Sequence, residues 1–276
     1  MNTTTAQADP TAPETRSAYV QPIVDPPWLR RAVWLVLAFF AVVLLVSPAV
    51  LSRENWEQFV RRELGVMELS TVVFLAVACF LSARLALRRA KGPTLARLYF
   101  GCFALGCFYF AGEEASWGQH VIGFTPPESI AEGNAQREFN IHNIDSPIQY
   151  LFNEGPRFVA VSFCFFLGGV IPLWWRHHAR EQKITPARAV PWSYWVPGLA
   201  VVPCGIFATL ATVPRKLLER MGYEHADNWA WLVFGDPSGE FKETLIAMTL
   251  LVYVASIFLM QRRRTRAQPA AVPSAD

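Results

Sequence analysis

Two acids stand side by side, Glu113 and Glu114, where an apolar run ends in GEEASWGQH. Polar residues then recur at every second position, at Asn134, Gln136, Glu138, Asn140 and His142, and Asn143 follows. Ionisable side chains at the edge of hydrocarbon are costly, which makes them functional candidates. Two chemistries fit these residue types. Carboxylates with neutral imidazole hold Zn, Mn or Fe, so Glu113, Glu114, His120, His142 and Glu243 are candidate ligands of a divalent metal ion, although no HExxH occurs. Crowded carboxylates at a low-dielectric edge also let one of them carry a proton near neutral pH. The catalytic candidates in that reading are Glu113, Glu114, Glu138 and His142. Asn134, Gln136, Asn140, Asn143, Trp117 and Gln119 are the substrate-binding candidates, because an array of amides and carboxylates suits a sugar or a polar lipid headgroup.

Local geometry sharpens these roles. Adjacent residues of a helix diverge by about 100°, so Glu113 and Glu114 face different partners, one the site and one a structural contact. A helix continuing through Gly118 would set Glu113, Trp117 and His120 on one face. The period from Asn134 to His142 is that of a strand, with Ala135, Arg137, Phe139 and Ile141 on the opposite side. A structural reading stands beside the functional one. Glu114 or Glu68 can pair with Arg137 or Arg157 to fasten a bundle, and the asparagines can cap turns.

The elements that must position these groups are membrane helices. Of 276 residues, 53% are hydrophobic and 17% charged, and apolar runs of about 20 residues recur. We predict an all-α integral membrane protein of six spans, over 32–51, 66–87, 98–119, 157–175, 192–213 and 240–260. Pro197, Gly198, Pro203 and Gly205 predict a kink in the fifth. A short amphipathic helix on the outer surface, or an extension of the second span, fits the stretch around Trp56, with Glu57 and Arg61 paired at i,i+4. Residues 1–27 and 265–276 read as flexible cytoplasmic tails. Residues 28–264 form the membrane domain, with a motif loop over 112–146. The first apolar run starts too late for a signal peptide. The five cysteines lie within apolar runs, in no metal or disulfide spacing.

Lys and Arg gather at the N-terminal flank, in the second and fourth connections and at the C-terminal flank, which places both termini in the cytoplasm of a bacterial inner membrane. The motif then faces the periplasm. Glu68, Glu113, Glu114, Glu240 and Glu243 converge at that outer end, whereas His177 and His178 lie at the other. The net charge of +3, without a basic block, excludes nucleic acid as a partner. Membrane lipids remain as partners, and a protein partner stays open. The expected function is an enzyme acting at the outer leaflet on a lipid headgroup or lipid-linked glycan, with or without metal assistance. The alternative is a non-catalytic transporter or a binding or structural subunit of an envelope complex. Mostly apolar helix centres argue against a transporter.

The paired motifs, Gly112, Glu113, Glu114, Ser116, Trp117, Gly118, Gln119 and then Asn134, Gln136, Glu138, Asn140, His142, Asn143, resemble those of an uncharacterised family of bacterial multi-pass membrane proteins, GEE-x-SWGQ followed by N-x-Q-x-E-x-N-x-HN. The resemblance covers about thirty residues. It implies a membrane fold and no particular reaction. The chain departs from CAAX-type intramembrane proteases, whose EExxxR arginine is Gly118 here, and from ceramidase-like hydrolases, which need three histidines on the relevant side.

Overall fold

The computed structural model describes residues 25–60, 65–87, 93–134, 137–141, 154–181, 194–223, 229–235 and 237–267. The protein is an all-α bundle with six helices long and apolar enough to cross a membrane. Helix α1 (Pro27–Val50) begins on a proline at its first position, where the missing N–H costs nothing. A separate short helix α2 (Arg53–Val60) follows. Extended backbone at Gly65 starts α3 (Val66–Ala86) afresh, so α2 is not an extension of that span. The i,i+4 pair on α2 is Arg53 with Glu57, 3.1 Å apart; Arg61 lies outside the described residues.

Helix α4 (Thr94–Glu114) leads to two one-turn helices, α5 (Gln119–Ile122) and α6 (Glu128–Ala131). The fourth span runs from α7 (Gly155–Phe165) through a wider π-helical turn (Phe166–Val170) into α8 (Ile171–Glu181). The fifth is α9 (Val201–Leu210) with α10 (Val213–Arg220). Its predicted kink at Pro197 and Gly198 is corrected: both residues precede the helix, on non-helical backbone, and Pro203 sits in its first turn. A short α11 (Trp229–Phe234) precedes the last helix, α12 (Ser238–Ala267), which is longer than predicted.

Helix α12 is the axis of the bundle. Of its apolar window, 67% is buried, against 22–28% for the other spans. Lipid tails are as apolar as leucine, so packing and interhelical hydrogen bonds, not water exclusion, hold such helices together. Thr71 of α3 and Thr244 of α12 share a hydroxyl bond of 3.0 Å. Tyr99 of α4 donates to the Tyr253 hydroxyl of α12 at 3.2 Å, and Tyr253 donates to the Trp195 carbonyl at 2.9 Å. The π turn brings Gly168 against Gly205 of α9. A Cβ on Gly205 would lie 2.6 Å from the Cys164 carbonyl oxygen and 2.7 Å from Gly168 backbone.

The two ends of the bundle are fastened differently. At one end Asp25 is buried. Its carboxylate accepts the Ala200 N–H and the Ser256 hydroxyl, both at 2.6 Å, and Ser256 accepts the Gly198 N–H at 2.7 Å. The end of the predicted N-terminal tail is therefore part of the packed structure. At the other end, the C-terminus of α4 meets the N-termini of α3, α7 and α12 beside the motif loop.

Candidate functional site

The site begins where α4 stops. Ser116, Trp117 and Gly118 all take left-handed backbone, with φ of 43°, 50° and 84°. Three such residues in a row reverse the chain, and only the glycine adopts this region freely. The predicted continuous face of Glu113, Trp117 and His120 is corrected accordingly. Trp117 folds back instead: its indole N–H donates to Glu113 Oε1 at 2.7 Å, and its ring lies over Gly112. A Cβ there would stand 2.7 Å from that ring, so the motif's first glycine is a space for tryptophan. Phe108 and Tyr109 flank the same ring.

The strand predicted from Asn134 is corrected too. Arg137 has a φ of 58° and its N–H bonds to the Asn134 carbonyl at 2.9 Å, which closes a turn. The turn gathers what alternation alone would have spread along a strand. The Asn134 side-chain amide donates to the Asn140 carbonyl and to Asn140 Oδ1, at 2.9 and 2.8 Å. Asn134 Oδ1 accepts the Glu138 N–H at 3.2 Å. Glu138 Oε2 accepts the Ser116 hydroxyl at 2.9 Å and the Asn140 amide at 2.6 Å. Two further bonds tie the turn to the helix end: the Phe139 N–H donates to Gln119 Oε1 at 2.6 Å, and the Ile141 N–H to Glu113 Oε2 at 2.7 Å. Asn134, Glu138, Asn140, Ser116 and Glu113 are all buried, and buried polar groups stay only where such bonds satisfy them.

Within this network one contact joins two titratable side chains. His120 Nε2 lies 3.5 Å from Glu138 Oε1, the oxygen that Ser116 and Asn140 leave uncovered. Both groups keep some exposure, 16% and 11% of their side chains. At 3.5 Å this is an ion-pair contact with a protonated imidazole and not a hydrogen bond, while two donors fix the other carboxylate oxygen.

Glu114 turns the other way. Its electrostatic neighbours are Glu243, Glu240, Arg157 and Glu68, drawn from α12, α7 and α3. Arg157 donates to Glu243 Oε1 at 2.5 Å. The five converging acids thus divide: four sit with Arg157 against α12, and Glu113 belongs to the loop. This splits the predicted metal set, since Glu243 is engaged by Arg157 and both Glu113 oxygens by N–H donors. Among the described residues no group of three or more His, Cys, Asp or Glu is placed to hold a metal ion. Gln136, His142 and Asn143 lie outside the described residues.

No protein-family model matches this chain, and no curated protein or solved structure matches it.

Sequence reasoning assigns no role to Ser116, although it holds Glu138, and gives Arg157 only a structural one. The serine stood inside a quoted motif, where a hydroxyl three residues from Glu113 was the available signal. Asp25 gave none: its partners are about 175 and 231 positions away.

Proposed function

We propose that the protein is a bacterial inner-membrane enzyme that acts at the outer leaflet on a lipid headgroup or lipid-linked glycan. The observation that carries the reading is the His120–Glu138 pair, held by Ser116 and Asn140 at the bundle end where the spans meet the loop. In this reading His120 takes a proton from an attacking water or hydroxyl and returns it to the departing oxygen. Glu138 orients the ring and offsets its charge when protonated. Trp117, 37% exposed beside the pair's own loop, adds aromatic surface for a sugar in this reading. The reaction class is hydrolysis or group transfer at one bond of the headgroup.

The second reading, a non-catalytic subunit of an envelope complex, is favoured by a specific observation. Glu113, Gln119, Asn134 and Asn140 bond to one another's segments, as in a turn whose only task is to keep its shape.

One experiment separates the two. A deletion strain is complemented with wild type, His120→Gln or Glu138→Gln, and its lipids and lipid-linked glycans are profiled by mass spectrometry. We expect wild type to restore the profile and both variants to fail while accumulating normally in the membrane. Full restoration by His120→Gln would refute the enzyme reading, and a stoichiometric co-purifying protein would then support the subunit.

A further inference from the structure

An apolar cleft of about 490 Å³ opens along the side of the bundle, in the size range of small-molecule sites. Its walls come from five helices and include Leu37, Ala41 and Leu45 of α1, Phe207 of α9, Val213 and Pro214 of α10 and Phe241 of α12. The remaining hydroxyl of the wall, Ser238, donates to the Gly235 carbonyl at 2.7 Å and so offers the cleft no donor. Leu37 is the eleventh residue of α1 and Leu45 the nineteenth. At about 1.5 Å per residue the cleft climbs from mid-span towards the loop end, within a single leaflet. A hydrocarbon chain of that leaflet is the occupant this wall accepts.

The loop end of the cleft carries a positive edge. Helix α10, which contributes Val213 and Pro214 to the wall, continues with Arg215, Lys216, Glu219 and Arg220. Three cations against one carboxylate leave a net charge of +2. Arg215 is held at the rim by Glu219 at 2.7 Å and by the Trp231 ring of α11 at 5.9 Å. Lys216 and Arg220 are exposed. On α12, Lys242 lies within electrostatic reach of Lys216 and of Glu243, and so adds a cation between this edge and the acids of that helix. Glu240 and Glu243 stand about 100° and 160° around the helix from Phe241 and belong to the cluster of Glu114 and Arg157.

We infer that this cleft is a binding site for one anionic phospholipid, its acyl chain lying between α1 and α9 and its phosphate held by the cations of α10. The inference does not depend on the enzymatic reading, because it involves neither His120 nor Glu138. Lys or Arg near anionic lipid is a known attraction, and α10 runs from the cleft wall at Val213 and Pro214 into these exposed cations.

Native mass spectrometry of the full chain in detergent, titrated with phosphatidylglycerol or phosphatidylcholine of the same acyl chains, tests it. We expect one phosphatidylglycerol to bind about tenfold tighter than phosphatidylcholine. Ala41→Trp, which fills the cleft, should abolish that site. Lys216→Gln with Arg220→Gln should equalise the two lipids. Those two side chains are exposed, so the double variant remains informative if Ala41→Trp fails to fold. Equal binding of both lipids by wild type would overturn the inference. So would phosphatidylglycerol binding that survives Ala41→Trp, or a dimer that Ala41→Trp dissociates, which would give the cleft to a second copy of the chain.

Discussion

Glu113 is bonded through both carboxylate oxygens, to the Trp117 indole and to the Ile141 backbone. Both partners are donors, and that decides what a substitution does. Glutamine keeps the shape but presents one acceptor and one NH₂, so a donor would face a donor at one of the two contacts. A buried donor left without an acceptor costs about 1–3 kcal/mol. We expect Glu113→Gln to destabilise the folded protein by that order, read by thermal or denaturant unfolding in detergent. The exposed Glu132→Gln serves as the control and should stay within experimental error. Wild-type stability in Glu113→Gln would show that the Trp117 fold-back does not anchor the loop. His120 differs in kind. It is a nitrogen base among the described residues of the loop, so its replacement is expected to remove function before stability.

Elements meet closely where glycine permits it. Gly205 and Gly168 let α9 and the π turn of the fourth span approach to backbone contact beside α12. The atoms that a Cβ on Gly205 would meet are backbone atoms of Cys164 and Gly168, which cannot rotate away. Overpacking of this sort costs about 1–3 kcal/mol. We therefore expect Gly205→Ala to lower stability. Gly106→Ala on α4, with open space around it, should raise stability slightly through helix propensity alone. The two substitutions are chemically the same, so opposite signs in one unfolding assay would isolate the packing effect. Equal signs would mean that the α9 contact relaxes at no cost. The π turn has its own reason to persist: it places Gly168 and Gly169, both buried, on the inner side of the span.

At the scale of the whole molecule, the two fastened ends lie on opposite sides of the bundle. The motif loop crowns one, and the Asp25 clasp holds the other next to the basic flanks. From the distribution of Lys and Arg we propose that the clasp faces the cytoplasm and the loop the outside. In a background stripped of its five natural cysteines, we expect Gly133→Cys to react with a membrane-impermeant maleimide on intact spheroplasts. Arg262→Cys should react only after lysis. Labelling of position 262 from outside would reverse the orientation and place the proposed chemistry at the inner leaflet.

The sequence by itself determined the six spans. Each is an apolar run matched to the bilayer, and that property is local and needs no partner. It also determined that Glu113 and Glu114 part company, since the helical repeat separates neighbours wherever the helix lies. The ends of elements were less legible. The chain from Ser116 to Gly118 reverses because three residues take left-handed backbone together, and the alternation from Asn134 onward folds into a turn at Arg137. Those conformations are paid for by Trp117, Glu138 and Asn140 bonds that exist only once the loop is closed. Tertiary structure alone decided the rest. It brought His120 to Glu138 instead of to Glu113, and took Glu243 into the company of Arg157. It also drew Asp25 across the chain to Ala200 and Ser256. Each of these is a meeting of distant segments, set by how helices pack around α12, and no spacing in the sequence encodes which polar partners that packing will bring within reach.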